Sequence, residues 1–338
     1  MQSTLQKSLA GFNDLDPGHH PWRQRLDALL NAGVSAGADL VEVFLERTDH
    51  LGVLAEQDKI TSVGPSFGMG AGIRVFRAGR DGFVSTNDLS DQGLEEALQQ
   101  ALGMLQLNAS TLASPNSFDG LGPFRDYGSS KNNWLDSTPD LVTITQRLLE
   151  GTHCLEKRGQ HLDVRRASFA RDWQEVLVAA SDGTFARDIR LHQSSGLSVL
   201  AADGEHRSSI ARRYGSTDRP DDLCHWNVDA SAQEVCDSAA KMLRADYVDG
   251  GQMPVVLANR FGGVIFHEAC GHLLETTQVE RGSTPFADSI GESIAHSAVT
   301  AIDEGVSGGA FGSISMDDEG MEPQSCLLYT SDAADEWR

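Results

Sequence analysis

Apolar residues near the start of the chain follow first a helical and then a strand period. Residues 22–32 (WRQRLDALLNA) carry apolar side chains at helical spacing, which predicts an amphipathic helix that ends at Gly33. Val41, Val43 and Leu45 then alternate with polar neighbours, as the side chains of a half-buried strand do. The pattern therefore predicts a helix followed by a strand.

Two further strands are predicted over residues 51–60 and 72–77, followed by a turn at the sequence GRDG. The glycine-rich segment 64–74 (GPSFGMGAGIR) lacks the G-K-[ST] ending of a phosphate-binding loop, so we expect a β-turn or a bulge there. Ser90 is expected to cap the next helix. The apolar positions of that helix follow i, i+3, i+4 spacing and are Leu94, Ala97, Leu98, Ala101, Leu102 and Leu105.

The middle of the chain contains a segment without periodicity, followed by a predicted helix and predicted strands. Residues 108–137 are rich in Asn, Ser, Gly, Asp and Pro without periodicity, which indicates a linker or a long surface segment. A helix is expected to start at Thr138 and Pro139, with Leu141, Ile144 and Leu148 on its buried face. Asp-Gly turns at 182–183 and 203–204 then separate alternating runs and predict an antiparallel meander, followed by a helix over 231–244.

The last part of the chain opens with a short apolar run over residues 254–258, which predicts a strand. Gly262 and Gly263 allow a close turn from this strand into a helix. A strand is expected around 299–302, ahead of an acidic turn. From Ser325 onward the sequence SCLLYTSDAADEWR resembles translated vector or adapter sequence, so we expect a non-native tail over 325–338 and a truncated last domain.

These elements predict an α+β protein with several domains and mainly antiparallel sheets. The expected organisation is an N-terminal domain of helices and strands, a linker, a middle β-rich antiparallel domain with helices, an incomplete C-terminal domain and the tail. Their boundaries are 1–107, 108–137, 138–248, 249–324 and 325–338.

Composition narrows the class of protein. The formal charge of −22 and the pI near 4.7 argue against binding to a nucleic-acid backbone, which requires basic patches. No apolar run approaches the roughly 20 residues of a membrane helix, and the first residues lack a signal-peptide core. The five cysteines are scattered without C-x-x-C pairing, which is typical of free thiols. We therefore expect a cytoplasmic protein that binds neither nucleic acid nor membranes.

The candidate chemistry lies at His267, Glu268 and His272. Two neutral imidazoles can hold a zinc ion, and an adjacent carboxylate can take a proton from its bound water. The histidines stand five positions apart, however, which separates them by about 140° on an ideal helix. Both reach one metal only if the helix widens or breaks locally, at a π-bulge or at Gly271. The alternative is two surface or core histidines on an ordinary helix.

Neighbouring residues offer weaker candidates. Cys270 shares a helix face with His267, but a free cysteine is more often a small buried apolar residue. Glu275 lies three residues after His272, a spacing that would allow both to bind one metal ion. A hydrogen bond that supports a ligand, or a plain surface charge, is the better interpretation of this residue. The acidic residues at 317–319 form a solvated turn or support an active site.

Several ordered motifs together resemble the TldD/PmbA family, and specifically its TldD-like subunit. They are VEVFLERTDHLGVLAEQDKI and GMGAGIRVFRAGRDGFVSTNDLS in the first part, and MPVVLANRFGGVIFHEACGHLLE, SIGESIAHSAVTAIDEG and FGSISMDDEG in the last. The resemblance implies a zinc metallopeptidase of the H-E-x-x-x-H type, with His267 and His272 as zinc ligands and Glu268 as general base.

The resemblance carries further implications for the parent protein. It implies a third ligand, a cysteine, far downstream of the motif, with no counterpart among these residues. Small or unfolded polypeptides are the implied substrates, and the implied partner is a second copy or a PmbA-like subunit. The alternatives are a non-catalytic PmbA-like partner or scaffold subunit and a peptide-binding module with structural histidines.

Overall fold

The computed structural model describes residues 22–107, 118–217, 219–259, 262–305 and 310–329. The chain divides into two compact units, the first formed by 1–245 and 305–323 and the second by 246–304 and 324–338. Residues 1–21, most of the expected tail and positions 108–117 of the expected linker lie outside the described part.

In the described residues, the first unit contains long strands and four helices of 13 to 18 residues. Its strands are β1 (Leu40–Glu56), β2 (Lys59–Arg77), β3 (Arg80–Thr86), β4 (Arg125–Asp126), β5 (Leu162–Ala180), β6 (Phe185–Asp203) and β7 (His206–Thr217). Its α-helices are α1 (Arg23–Ser35), α2 (Asp91–Met104), α3 (Trp134–Ser137), α4 (Leu141–Arg158), α5 (Asp222–His225) and α6 (Val228–Met242). A 3₁₀ turn at Ser129–Lys131 precedes α3.

All seven strands belong to one sheet. The order is β3-β2-β1-β5-β6-β4, with β7 also paired to β6, and every pairing is antiparallel except that of β4 with β6. The pairing of β1 with β5 joins the first and middle segments of the chain, from Glu42 opposite Ala180 to Glu56 opposite Arg166. The predicted α+β class with mainly antiparallel sheet is confirmed.

One face of the sheet is covered by helices in two blocks. Helices α1 and α2 pack over the first part of β1 and the end of β2, where Val41, Val43 and Ile73 are fully buried. Helices α4 and α6 pack over the far part of β1, β5 and β6. Because β1, β2, β5 and β6 are each 17 to 19 residues long, a single strand such as β1 contributes to both apolar cores.

The opposite face is partly covered by the segment 310–323. Met316 is fully buried against Val176, Val178 and Ala186. Arg190 on β6 donates hydrogen bonds to the Asp318 carboxylate (2.8 Å) and to the Met316 carbonyl (3.0 Å). The acidic turn predicted at 317–319 is therefore anchored to the sheet by an arginine.

A buried ionic group joins β1, β5 and β6. Glu175 is fully buried and accepts from Arg187, which is also buried, while Arg47 approaches its other carboxylate oxygen at 3.0 Å. Arg187 also donates to Asp126 and Asn132. Burial lowers the pKa of Arg47, and the charge of Glu175 opposes this change. This carboxylate therefore balances two arginines inside the sheet.

Gly33 lies inside α1 rather than at its end, so its predicted role as a helix terminator is wrong. A Cβ atom at this position would lie 2.7 Å from Val41 Cγ2 and 3.3 Å from Leu98 Cδ1. The glycine lets the helix approach β1 and α2 closely. The chain turns later, at Gly37, which has a φ of 103°.

Substituting Gly33 tests this packing role. Gly33→Ala should destabilise the protein by about 1–3 kcal/mol, because overpacking outweighs the better helix propensity of alanine. Gly103→Ala in α2 is the matched control, since a Cβ there meets nothing within 4 Å, and it should stabilise by about 0.5–1 kcal/mol. Urea unfolding followed by circular dichroism compares the two. A Gly33→Ala protein as stable as Gly103→Ala would contradict the packing argument.

Ser90 caps α2 as predicted, because its hydroxyl accepts from the Gly93 amide. The next long helix starts later than expected: Asp140 caps it by accepting from the Thr143 amide, and Leu141 is exposed. Pro139 lies before the cap, where it interrupts no helical hydrogen bond. The remaining predicted core positions, Ile144 and Leu148, are fully buried.

Two other predictions are wrong. The glycine-rich segment 64–74 forms no turn but lies within β2, where it pairs continuously with β1. The apolar run 254–258 is not a strand, and Val255 and Val256 are exposed. Apolar composition alone had predicted a buried strand there.

The second unit contains short elements: α7 (Gly262–Phe266), α8 (Thr276–Glu280), β8 (Ala301–Glu304) and β9 (Ser325–Tyr329). Strand β8 lies near the strand predicted at 299–302. It pairs antiparallel with β9, so the first residues of the expected tail form a strand, although no element was predicted for them. Across the ranges that the structure describes, no helix is long and apolar enough to span a membrane.

Candidate metal centre

The motif residues lie where α7 widens. Helix α7 continues into a π-helical turn at His267–Gly271 and then a 3₁₀ turn at His272–Leu274. The backbone amide of His272 donates to the carbonyl of His267, five residues earlier, which is the hydrogen bond that defines a π turn. The local widening that the five-residue spacing requires is therefore present.

The widened turn brings three side chains together. One candidate ligand atom from each of His267, Glu268 and His272 lies within 4.8 Å of the other two. The two imidazole centroids are 4.3 Å apart, with their planes at 62°. His272 Nε2 lies 3.9 Å from Glu268 Oε2. All three side chains are exposed, so an ion or a substrate can reach them.

Glu275 orients one of the histidines. Its Oε1 lies 2.6 Å from His272 Nδ1, which leaves Nε2 directed to other partners. A carboxylate that holds the outer nitrogen of an imidazole is a common support for a metal-binding histidine. The hydrogen bond to Glu275 raises the pKa of His272 above its ordinary value of 6.5, with a smaller contribution from the charge of Glu268. Metal binding at this imidazole therefore competes with a proton.

The other candidates do not join this group. The thiol of Cys270 is not among the ligand atoms that converge, although Cys270 lies between Glu268 and His272 in the sequence. Asp318 belongs to the first unit, where it binds Arg190, and Asp317 accepts from the amides of Glu319 and Met321 within its own turn. Among residues that the structure describes, the two histidines and Glu268 form the group.

The donor set suits zinc. Imidazole nitrogen and carboxylate oxygen are both ordinary zinc donors, and two donors at about 2.0–2.1 Å from one ion lie at most about 4 Å apart. The donor atoms, up to 4.8 Å apart, would have to move closer by about 1 Å to bind one ion. The residues present therefore fit a zinc ion held by two histidines, with the glutamate beside it.

Three family models match the chain in order. They are described as PmbA/TldA metallopeptidase domain 1, central domain and C-terminal domain, and they match residues 41–105, 136–243 and 250–330. The third match extends through the first residues of the expected tail.

Named relatives agree with these models. The chain is 29% identical over 272 residues to the metalloprotease TldD homolog of Haemophilus influenzae, covering 78% of this chain and 55% of that one. It is 23% identical over 320 residues to a metalloprotease of Methanocaldococcus jannaschii, covering 90% of this chain and 66% of the other. The chain thus spans about half the length of the first of these relatives and two thirds of the second.

A solved structure shares the fold. TldE from Thermococcus kodakarensis superposes with a TM-score of 0.65 at 17% identity, covering 91% of this chain and 68% of that chain. The three domain matches together account for most of the chain and occur in a single order. The chain belongs to the PmbA/TldD family of metallopeptidases.

Proposed function

We propose that the protein is a zinc-dependent peptidase that hydrolyses peptide bonds in small or unfolded polypeptides. The observation that carries the proposal is the π-helical turn, which brings donor atoms of His267, Glu268 and His272 within 4.8 Å of one another. An ordinary helix would direct the two histidines to different faces. The names of the relatives support metal-dependent proteolysis as the class of activity.

Each residue has a distinct part in the proposed reaction. His267 and His272 would hold the zinc, and Glu275 would fix His272 so that its Nε2 faces the ion. A zinc ion held there would lower the pKa of a bound water molecule and polarise the carbonyl to be cleaved. Glu268 would accept a proton as general base and later give it to the leaving amine. Its carboxylate, 3.9 Å from His272 Nε2, is near enough to the metal-binding nitrogen for this role.

The complete site needs one more protein ligand, because catalytic zinc ions usually have three. Its proposed identity is the downstream cysteine that the family resemblance implies. A second copy of the chain or a PmbA-like subunit is the proposed partner, and the cytoplasm is the proposed compartment.

Metal removal tests the proposed activity. A version of the protein that includes the downstream ligand should cleave an unfolded polypeptide such as reduced, alkylated casein, whereas the present chain, with two of the three ligands, is expected to be less active or inactive. Cleavage should stop after treatment with 1,10-phenanthroline and return when zinc is restored, because the nucleophilic water depends on the metal. Cleavage that is unaffected by metal removal would contradict the proposal.

A further inference from the structure

A concave site lies in the first unit, on the sheet face opposite helices α1 and α2. Its volume is about 600 Å³, within the range of ligand-binding cavities. The floor is formed by β1, β2 and β3, and one wall by the turn that carries Asp318 and Glu319. This cavity lies within one compact unit, and the zinc motif lies in the other.

The strand register brings several of the lining residues together. Ser85, Gly72, Phe44 and Val178 lie side by side across β3, β2, β1 and β5. The ring of Phe83 packs against Gly72, where a Cβ atom would lie 2.9 Å from it. Gly70, two positions away, also has no side chain. Phe44 and Phe83 supply the aromatic part of the cavity lining.

The cavity carries excess negative charge. Four carboxylates, those of Glu42, Glu46, Asp318 and Glu319, line it together with a single guanidinium, that of Arg74. Glu46 accepts from Gln174, and Asp318 accepts from Arg190. Two of the carboxylates are thus already hydrogen-bonded to the protein.

Glu42 and Glu319 share a looser ion pair with Arg74. Arg74 lies 3.8 Å from Glu42 and 3.9 Å from Glu319, which is beyond hydrogen-bonding distance in both cases. Its guanidinium instead donates to Asp81 at 3.3 Å and lies over the ring of Phe76. Burial raises the pKa of Glu42, and the nearby charge of Glu319 adds to the effect. A second cation beside these two carboxylates would complete the charge compensation that Arg74 provides only in part.

The shape favours an organic cation over a metal ion. Within the described part of the chain, the cavity carboxylates do not form a group of three that could hold a metal ion. Lysine and arginine have an apolar stem and a charged head, which match a cavity with phenylalanine walls and separated carboxylates.

We propose that this cavity binds a lysine or arginine side chain of an extended peptide, with the stem between Phe44 and Phe83 and the charged head at Glu42 and Glu319. The site does not depend on the proposed peptidase activity, because its residues and its readout are separate from those of the zinc motif.

Binding of short peptides to the intact protein tests the proposal. The probes are Ac-Ala-Ala-Lys-Ala-Ala-NH₂ and the same peptide with norleucine, which keeps the stem and removes the charge. Calorimetry or fluorescence polarisation of labelled peptides should show saturable binding of the lysine peptide, at least about tenfold tighter than that of the norleucine peptide. Equal binding of the two peptides, or no binding of the lysine peptide, would overturn the proposal.

Variants locate the site. Glu42→Gln and Glu319→Gln should each weaken binding of the lysine peptide by about tenfold. Glu56→Gln is the matched control, because Glu56 also lies on β1 but pairs with Arg166 and does not line the cavity; it should bind like the unmodified protein. Circular dichroism confirms that the variants fold. Unchanged affinity in both cavity variants would refute the assignment.

Discussion

Glu268→Gln is expected to abolish detectable peptide hydrolysis while leaving zinc binding nearly unchanged. Glutamine has the same shape as glutamate but cannot accept the proton of a zinc-bound water. Loss of a general base typically lowers the rate by about 10² to 10⁴-fold. Initial rates on an unfolded polypeptide, measured beside the zinc content of the same samples, give both quantities.

Glu292→Gln is a suitable control, since Glu292 is another carboxylate of the second unit and lies outside the histidine group. It should retain the original rate. If Glu268→Gln hydrolyses the substrate as fast as this control, Glu268 is not the base.

The largest expected effect on stability comes from the buried ionic group of the first unit. Glu175→Gln should reduce the free energy of unfolding by about 3–5 kcal/mol, because it leaves the buried Arg187 and the partly buried Arg47 with one counter-charge fewer. Urea unfolding followed by circular dichroism measures this change through the midpoint and slope.

Glu56→Gln again provides the comparison. Its partner Arg166 is half exposed, so loss of this ion pair should change stability by less than about 1 kcal/mol. Similar unfolding midpoints for Glu175→Gln and Glu56→Gln would show that the buried charges contribute no more than surface ones.

Local patterns predicted the elements that depend on local physics. Ser90 caps its helix, and the Asp-Gly turns at 182–183 and 203–204 separate antiparallel strands, because side-chain capping and a positive φ at glycine are encoded within a few residues. The role of Gly33 in packing could not be predicted from the neighbouring sequence. Its function is to make room for Val41 and Leu98, which are distant in sequence, so it depends on tertiary packing.

The pairing of all seven strands in one sheet could not be predicted from local sequence patterns either. Alternation of apolar and polar residues along β1 and β5 indicates that each is a strand. It does not predict that the two strands pair, because they are more than a hundred residues apart in the sequence. The two segments treated as separate domains in the sequence contribute strands to the same sheet. The domain boundaries proposed at residues 107 and 138 stay a prediction.

The sequence predicts more of the candidate metal centre than of the cavity in the first unit. A five-residue spacing with two histidines and a glutamate specifies both the chemistry and the helical irregularity it needs, and the structure has a π turn there. The cavity could not be found in this way, since Glu42, Arg74 and Glu319 come from three separate segments. The local signal is the run of glycines at alternate positions of β2, for which the sequence alone predicts a β-turn or a bulge.

The most direct test of the central claim is a zinc titration against a chromophoric chelator, with the unmodified protein compared to His267→Ala and His272→Ala. The account predicts one zinc per chain in the unmodified protein and a loss of affinity of about 100-fold or more in each variant, because each removes one of the two imidazole donors. His296→Ala, which changes a histidine outside the group, should bind as the unmodified protein does. Equal zinc affinity in all four proteins would contradict the assignment of His267 and His272 as the metal ligands.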